Sequence, residues 1–250
     1  NSNEPMEFIK WMDENGYVTF VRTGLAGEGT EANPYLIDNL EALVFFRDQL
    51  NKENNYYQGK YVKLTGDINL AKGQNRSTES NWEPIPTFNG VFDGDNHTIS
   101  NLVINGVGKS NQGFFGQTNN GEIKNLTITN PALDSDNYAY AGLFGVTEGT
   151  DKDNQNTIKN LIIENVTIST TGHIVSAAIA YPYYTIVDNV KVCGNINITG
   201  GDYTSGVLAY TRRCVNASNL SIVGNQGSTI NGKQTVGGVI SDIQMNGGLT

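Results

Sequence analysis

The groups that could do chemistry are few: the 250 residues include only two His and two Cys. Hydrolysis of a glycosidic bond needs two carboxyl groups about 5 to 9.5 Å apart. The closest acidic pair beside an aromatic residue is Asp93 and Asp95, in Phe92-Asp-Gly-Asp-Asn96. The same residues read as a tight turn after a strand, with Asp and Asn bonding their own backbone, and that reading is preferred. Glu148, Asp151 and Asp153 fall in an insertion from Thr147 to Asn156. Its spacing lacks the oxygen-ligand pattern of a calcium loop, so it reads as a solvated loop. A zinc peptidase needs two His four apart on a helix with a Glu base, and His97 and His173 are not so placed. Cys193 and Cys214 lack metal spacing, and a disulfide and two free thiols both remain open for them. No catalytic residue, metal ligand or cofactor site is expected.

Tyrosines and arginines say more. Arg212 and Arg213 with Lys191 are the one basic cluster in the sequence. It suits an anionic sugar, although two Arg exposed on a loop is the plainer explanation. Tyr181 and Tyr210 each directly follow a copy of a repeated element, so they should stack on neighbouring turns. Tyr183, Tyr184 and Tyr203 lie close in the same frame. Exposed tyrosines in a row pack against sugar rings or a protein partner. A row of like rings can also serve only to stabilise a stack.

The element that positions them recurs as Gly113-Phe-Phe-Gly116, Gly142-Leu-Phe-Gly145, Ala177-Ala-Ile-Ala180, Gly206-Val-Leu-Ala209 and Gly237-Gly-Val-Ile240. A second element follows the first four: Ile123-Lys-Asn-Leu-Thr-Ile128, Ile158-Lys-Asn-Leu-Ile-Ile163, Val187-Asp-Asn-Val-Lys-Val192 and Ala217-Ser-Asn-Leu-Ser-Ile222. Leu126 and Ile128 alternate with Lys124 and Thr127, which is the period of a strand. A unit of two or three short strands cannot bury its apolar face alone, so neighbours must stack as a solenoid. Asn125, Asn160, Asn189 and Asn219 then form a once-per-turn structural ladder, inward or at a turn edge. Lys124, Lys159 and Asp188 share one outward column, where Lys159 beside Asp188 should make a surface pair worth at most about 1 kcal/mol.

The N-terminal third differs. Leu40, Leu43, Val44 and Leu50 follow helical spacing, which predicts a helix over about 39–52 capped by Asn39 or Asp38. Tyr61 to Leu70 alternates as a strand. The chain therefore divides into a cap segment, 1–70, and coils, 71–250, with the helix covering the exposed solenoid end. The chain stops after a fifth first element with no second one, which suggests continuation into further domains. Composition agrees: 29 of 250 residues are Gly, nearly 12% against the usual ~7%, and 33 are Asn. The net charge of −9 excludes a basic nucleic-acid stripe. No apolar run approaches the ~18 residues of a membrane span, and Asn1–Pro5 lacks the basic and apolar regions of a signal peptide.

Gly29-Thr-Glu-Ala-Asn-Pro-Tyr-Leu-Ile37, Val62-Lys-Leu-Thr-Gly-Asp-Ile-Asn-Leu70, Trp82-Glu-Pro-Ile85 and Phe88 to Leu102, followed by Gly142-Leu-Phe-Gly145, resemble the GLUG-motif bacterial cell-surface proteins in order as well as type. The resemblance spans about residues 28–225; Ala177-Ala-Ile-Ala180 departs from it. It implies an all-β right-handed parallel β-helix with an N-terminal α-helical cap, exported to the bacterial surface or the extracellular space. The expected function is a non-enzymatic, adhesin-like module binding a glycan or host protein through the side of the helix. A polysaccharide lyase or glycoside hydrolase, and a structural stalk, are the alternatives.

Overall fold

The computed structural model describes residues 8–12, 18–71, 82–106, 111–135 and 140–244, with side chains from residue 22 onward except at 106, 135, 214 and 215. Inward positions are filled by rows of like apolar residues, each paired in parallel with its equivalent one coil away. Leu126, Leu161, Val190 and Leu220 form one such row, and Ile128, Ile163, Val192 and Ile222 another. Alternation is interrupted once per coil: Ile123 is buried and Lys124 half-exposed, and Leu126 is buried again. The residue between them must turn the chain. Asn125, Asn160, Asn189 and Asn219 do so with φ of 53–55°, in the left-handed region that Asn tolerates better than most residues.

Repetition of this unit builds a parallel β-solenoid. One five-stranded sheet contains Val103–Gly106, Ala132–Ser135, Thr167–Thr170, Asn197–Thr199 and Thr229–Asn231. Another contains Asn111–Gln112, Tyr140–Ala141, Ile174–Ser176, Tyr203–Ser205 and Thr235–Gly237. The remaining coil strands belong to a wide, bent sheet that begins at Tyr35–Ile37 and reaches Ile240–Ile243. The Gly-x-x-Gly element is the corner where the second five-stranded sheet meets the wide one. A Cβ on Gly113 would lie 2.6 Å from the carbonyl oxygens of Gly142 and Leu143, so in this coil the corner admits only hydrogen, whereas the equivalent place two coils on holds Ala177. Leu208 pairs with Ile240, which sets the fifth copy at Gly238-Val-Ile-Ser241, one residue later than the sequence spacing places it.

The helix runs Leu40–Lys52, with Asn39 as N-cap: its Oδ1 accepts the Ala42 N–H at 2.9 Å. It links the parallel strands Tyr35–Ile37 and Tyr61–Leu64. Ala42, Leu43, Phe46 and Leu50 are buried, and the Phe46 ring lies 5.5 Å from Phe88 and 5.9 Å from Phe92. The helix thus covers the first coils. The expected strand from Tyr61 to Leu70 is two strands, Tyr61–Leu64 and Ile68–Asn69, because Thr65, Gly66 and Asp67 bend the chain between them. One apolar cluster continues from Ile37 to Leu208. An antiparallel pair, Phe8–Met12 with Val18–Arg22, precedes it.

Candidate functional site

At the corner between the two sheets the outer surface folds inward. Three columns of residues follow it along the solenoid. The floor is Gly116, Gly145, Ala180, Ala209 and Ser241, each lying between register-paired neighbours. One wall is Asn111, Tyr140, Ile174, Tyr203 and Thr235. The other is Gln117, Val146, Tyr181, Tyr210 and Asp242. Ile174, Ala180 and Ala209 are at most 3% exposed, yet they form a cluster separate from the solenoid core. Tyr140, Tyr181, Tyr203 and Tyr210, all half-buried, pack over them.

The rings touch across coils. Tyr181 lies 5.0 Å from Tyr140 and 5.8 Å from Tyr210, the latter nearly parallel at 19°. Tyr203 meets Tyr210 at 4.7 Å, and Tyr183 lies 6.4 Å from Tyr181 and 4.8 Å from Tyr184. All five tyrosines singled out from the sequence are brought into one strip. Tyr140 joins them although sequence reasoning passed over it. Its signal was available: Tyr140 precedes Gly142 as Asn111 precedes Gly113, at the edge of the same repeated element.

Polar groups rim the strip. Arg212 Nη1 donates to the Tyr181 hydroxyl at 3.4 Å, and its guanidinium carbon lies 5.9 Å from the Tyr210 ring centre. Burial pushes the Tyr140 and Tyr210 phenols above their ordinary pKa, so both remain neutral donors at physiological pH. His173 Nδ1 sits 2.6 Å from Asp202 Oδ2, with its ring edge-on to Tyr203 at 5.4 Å. Gln117 Nε2 donates to Glu148 Oε2 at 3.1 Å. Toward the helix the groove opens into a cavity of about 310 Å³, lined partly by Asn54, Pro84, Pro86, Asn111 and Gln117.

The rim also carries backbone strain. Asn120, Gly149 and Tyr184 occupy one corner position in successive coils, and Arg213 lies in a bulge opposite Tyr184, where the register shifts. Asn120 has φ +48°, Tyr184 +44° and Arg213 +62°. Asn suits that geometry, whereas a large side chain held there costs about 1 kcal/mol or more.

The other sequence candidates lie elsewhere. The Asn ladder faces outward at its corner, not inward. Asn160 Nδ2 donates to Asn125 Oδ1 at 2.8 Å and Asn189 Nδ2 to Asn160 Oδ1 at 3.0 Å. Asn125 caps the row by donating to Asp93 Oδ1 at 2.9 Å, whereas Asn219 departs from it and donates to Asp188 Oδ1. Asp93 Oδ1 also accepts the Asp95 N–H at 2.9 Å, and Asp95 pairs with Lys63. Lys159 does not pair with Asp188. It reaches Glu122 Oε1 at 2.9 Å, beside Lys124 at 3.1 Å, because Ser218 and Asn219 already donate to Asp188 and hold its carboxyl below the usual range.

Asp151 accepts the backbone N–H groups of Asp153 and Asn154 and closes its own loop. Among the described residues no three His, Cys, Asp or Glu are arranged to hold a metal. Lys191 does not join the arginines, because it pairs in register with Ser221, well along the strand from Arg212 and Arg213. Cys193 is a free thiol whose pKa burial raises; the side chain of Cys214, and residues 245–250 beyond the last coil, lie outside the described residues.

No family model matches the chain. Over 112 residues, 43% of its length, it is 39% identical to halomucin of Haloquadratum walsbyi. Over 108 residues it is 32% identical to a "putative Gly-rich membrane protein" of Evansella cellulosilytica. These matches span 1% and 12% of the two relatives. Among solved structures, a "putative immunoglobulin A1 protease" from Bacteroides ovatus superposes with a TM-score of 0.62 at 18% identity, covering 89% of this chain and 66% of that one. That likeness establishes the fold. No helix among the described residues is long and apolar enough to cross a membrane.

Proposed function

We propose that the chain is a non-enzymatic module of the GLUG-motif type, displayed outside the cell, that binds glycan chains along the tyrosine groove. One observation carries the reading: Tyr140, Tyr181, Tyr203 and Tyr210 form an apolar cluster outside the solenoid core and keep part of each ring exposed. Such rings offer apolar area to a sugar face and a hydroxyl to its polar edge. The groove runs across several coils, which suits an extended polymer better than a small molecule. Amides and carboxylates at its rim, Asn111, Gln117 and Glu148, add hydrogen-bonding partners for sugar hydroxyls. The matches to halomucin and to a Gly-rich membrane protein support a location at or outside the cell surface. The engagement of Asp93 and Asp95 in a turn and an ion pair supports a binding role over hydrolysis.

The test is a glycan array followed by titration calorimetry on the best ligand, comparing the wild-type chain with Tyr181→Ala/Tyr183→Ala/Tyr210→Ala. Circular dichroism verifies that the variant is folded. Loss of at least about tenfold in affinity is expected, the magnitude of an aromatic hot spot. Affinity within twofold of wild type would remove the groove from the function.

A further inference from the structure

We propose that the groove selects acidic sugars, with Arg212 and Arg213 receiving the carboxylate of a uronic-acid unit stacked on the tyrosine strip; this rests on the glycan-binding reading above. The chain carries 25 Asp and Glu against 16 Lys and Arg, so acidic groups outnumber the cations. Arg22, Arg47, Lys63, Lys124, Lys152 and Lys159 each pair with an acidic group. Lys52, Lys60, Lys191 and Lys233 pair with none among the described residues, but these four do not adjoin the tyrosine strip. Arg212 and Arg213 are both exposed and make no ion pair with any described residue. The carboxylates nearby are engaged with other partners: Asp202 with His173, Glu148 with Gln117 and Asp242 with Gln244.

Position reinforces this. Arg212 is fixed over the strip by the Tyr181 hydroxyl and the Tyr210 ring, which leaves most of its donor fork free. Arg213 sits at the strained corner with φ +62°, in the bulge that interrupts the register opposite Tyr184. Asn120 shows that the corner accepts an unstrained residue, so the later coils hold a large ring and a guanidinium there against a backbone penalty. A planar guanidinium matches a carboxylate with two parallel hydrogen bonds. Adjacent aromatic rings supply the apolar support that the sugar ring requires.

The experiment compares oligomers of galacturonate with the same oligomers carboxyl-reduced to galactose, binding to the intact chain at low salt. A sulfated galactan serves as a third probe. A preference of about tenfold for galacturonate over its neutral counterpart is expected, shrinking as salt is raised. In Arg212→Gln/Arg213→Gln the ratio should fall below twofold, while Lys191→Gln, which removes a distant charge, keeps it. Equal affinity for the acidic and neutral oligomers, or a preference that survives the double substitution, overturns the assignment. Tighter binding of sulfated galactan than of galacturonate overturns the carboxylate specificity. Binding of the neutral oligomer alone, or of no probe, refutes this inference, whereas the glycan groove itself falls only if the array yields no ligand or the triple tyrosine variant keeps its affinity.

Discussion

The two ends of the solenoid place their aromatic residues on opposite sides of the same wall. In the early coils the rings point inward: Phe88, Phe92, Phe114, Phe115 and Phe144 are fully buried and contact one another and the helix through Phe46. In the later coils the matching inward positions hold smaller groups. Phe115 and Phe144 are succeeded by Ile179 and Leu208, and Ala177 and Ala178 line the corner. The rings move outside, where Gln117 and Val146 give way to Tyr181 and Tyr210. Interior aromatics are explained by packing beneath the helix. Exterior ones are not required by the core, which is filled by aliphatic rows at that level.

The largest expected effect tests this asymmetry directly. Phe115→Ala should destabilise the chain by about 3–5 kcal/mol, because burial is lost and a cavity remains. Tyr181→Ala, from a half-exposed ring, should cost about 1 kcal/mol, and chemical denaturation of both variants reads the difference. Equal losses would mean that the outer strip is as structural as the inner one.

The two kinds of left-handed corner sharpen the comparison at intermediate size. Asn160→Ala should lose about 1–2 kcal/mol, from a left-handed φ without Asn and a broken ladder. Tyr184→Asn should do the reverse and stabilise by about 1 kcal/mol while weakening glycan binding. Stabilisation with undiminished binding would show that the strained corner serves nothing in the groove.

The smallest effect concerns pH. Burial alone would raise the Glu122 carboxyl, but hydrogen bonds from Lys159 and Lys124 outweigh it and hold it below the usual range. A lowered folded-state pKa contributes stability that is fully present above the unfolded value near 4.3. That contribution disappears as pH falls through the folded value. Glu122→Gln should therefore flatten the acid limb of the stability curve below about pH 4.3 by a few tenths of a kcal/mol, since the pair is partly solvated. No change in that limb would show that the Lys–Glu–Lys contact is energetically silent.

Much of the fold was legible because stacked coils repeat their chemistry. Period-two alternation, the recurrent Gly-x-x-Gly corner and the recurrent Asn each fall once per coil, and the helical spacing of Leu40, Leu43 and Leu50 stands apart from them. Structure departs from sequence expectation where side chains choose among partners of similar distance. Lys159 has Asp188 beside it in register, yet it reaches Glu122, whose Oε1 it shares with Lys124. The fifth corner lies one residue later than the spacing predicts, because Gly237 and Gly238 both satisfy the pattern and only strand pairing separates them.

Local chemistry alone determined which residues turn the chain, which alternate and which stack, since each property acts within one coil and its neighbour. The tertiary structure decided what those coils enclose and what they leave outside. Tyr181 and Ile179 are two residues apart in one strand, but the bend at Ala180 sends one into the core and the other into the groove. That bend exists because two sheets meet there, so no stretch of sequence read by itself contains the groove.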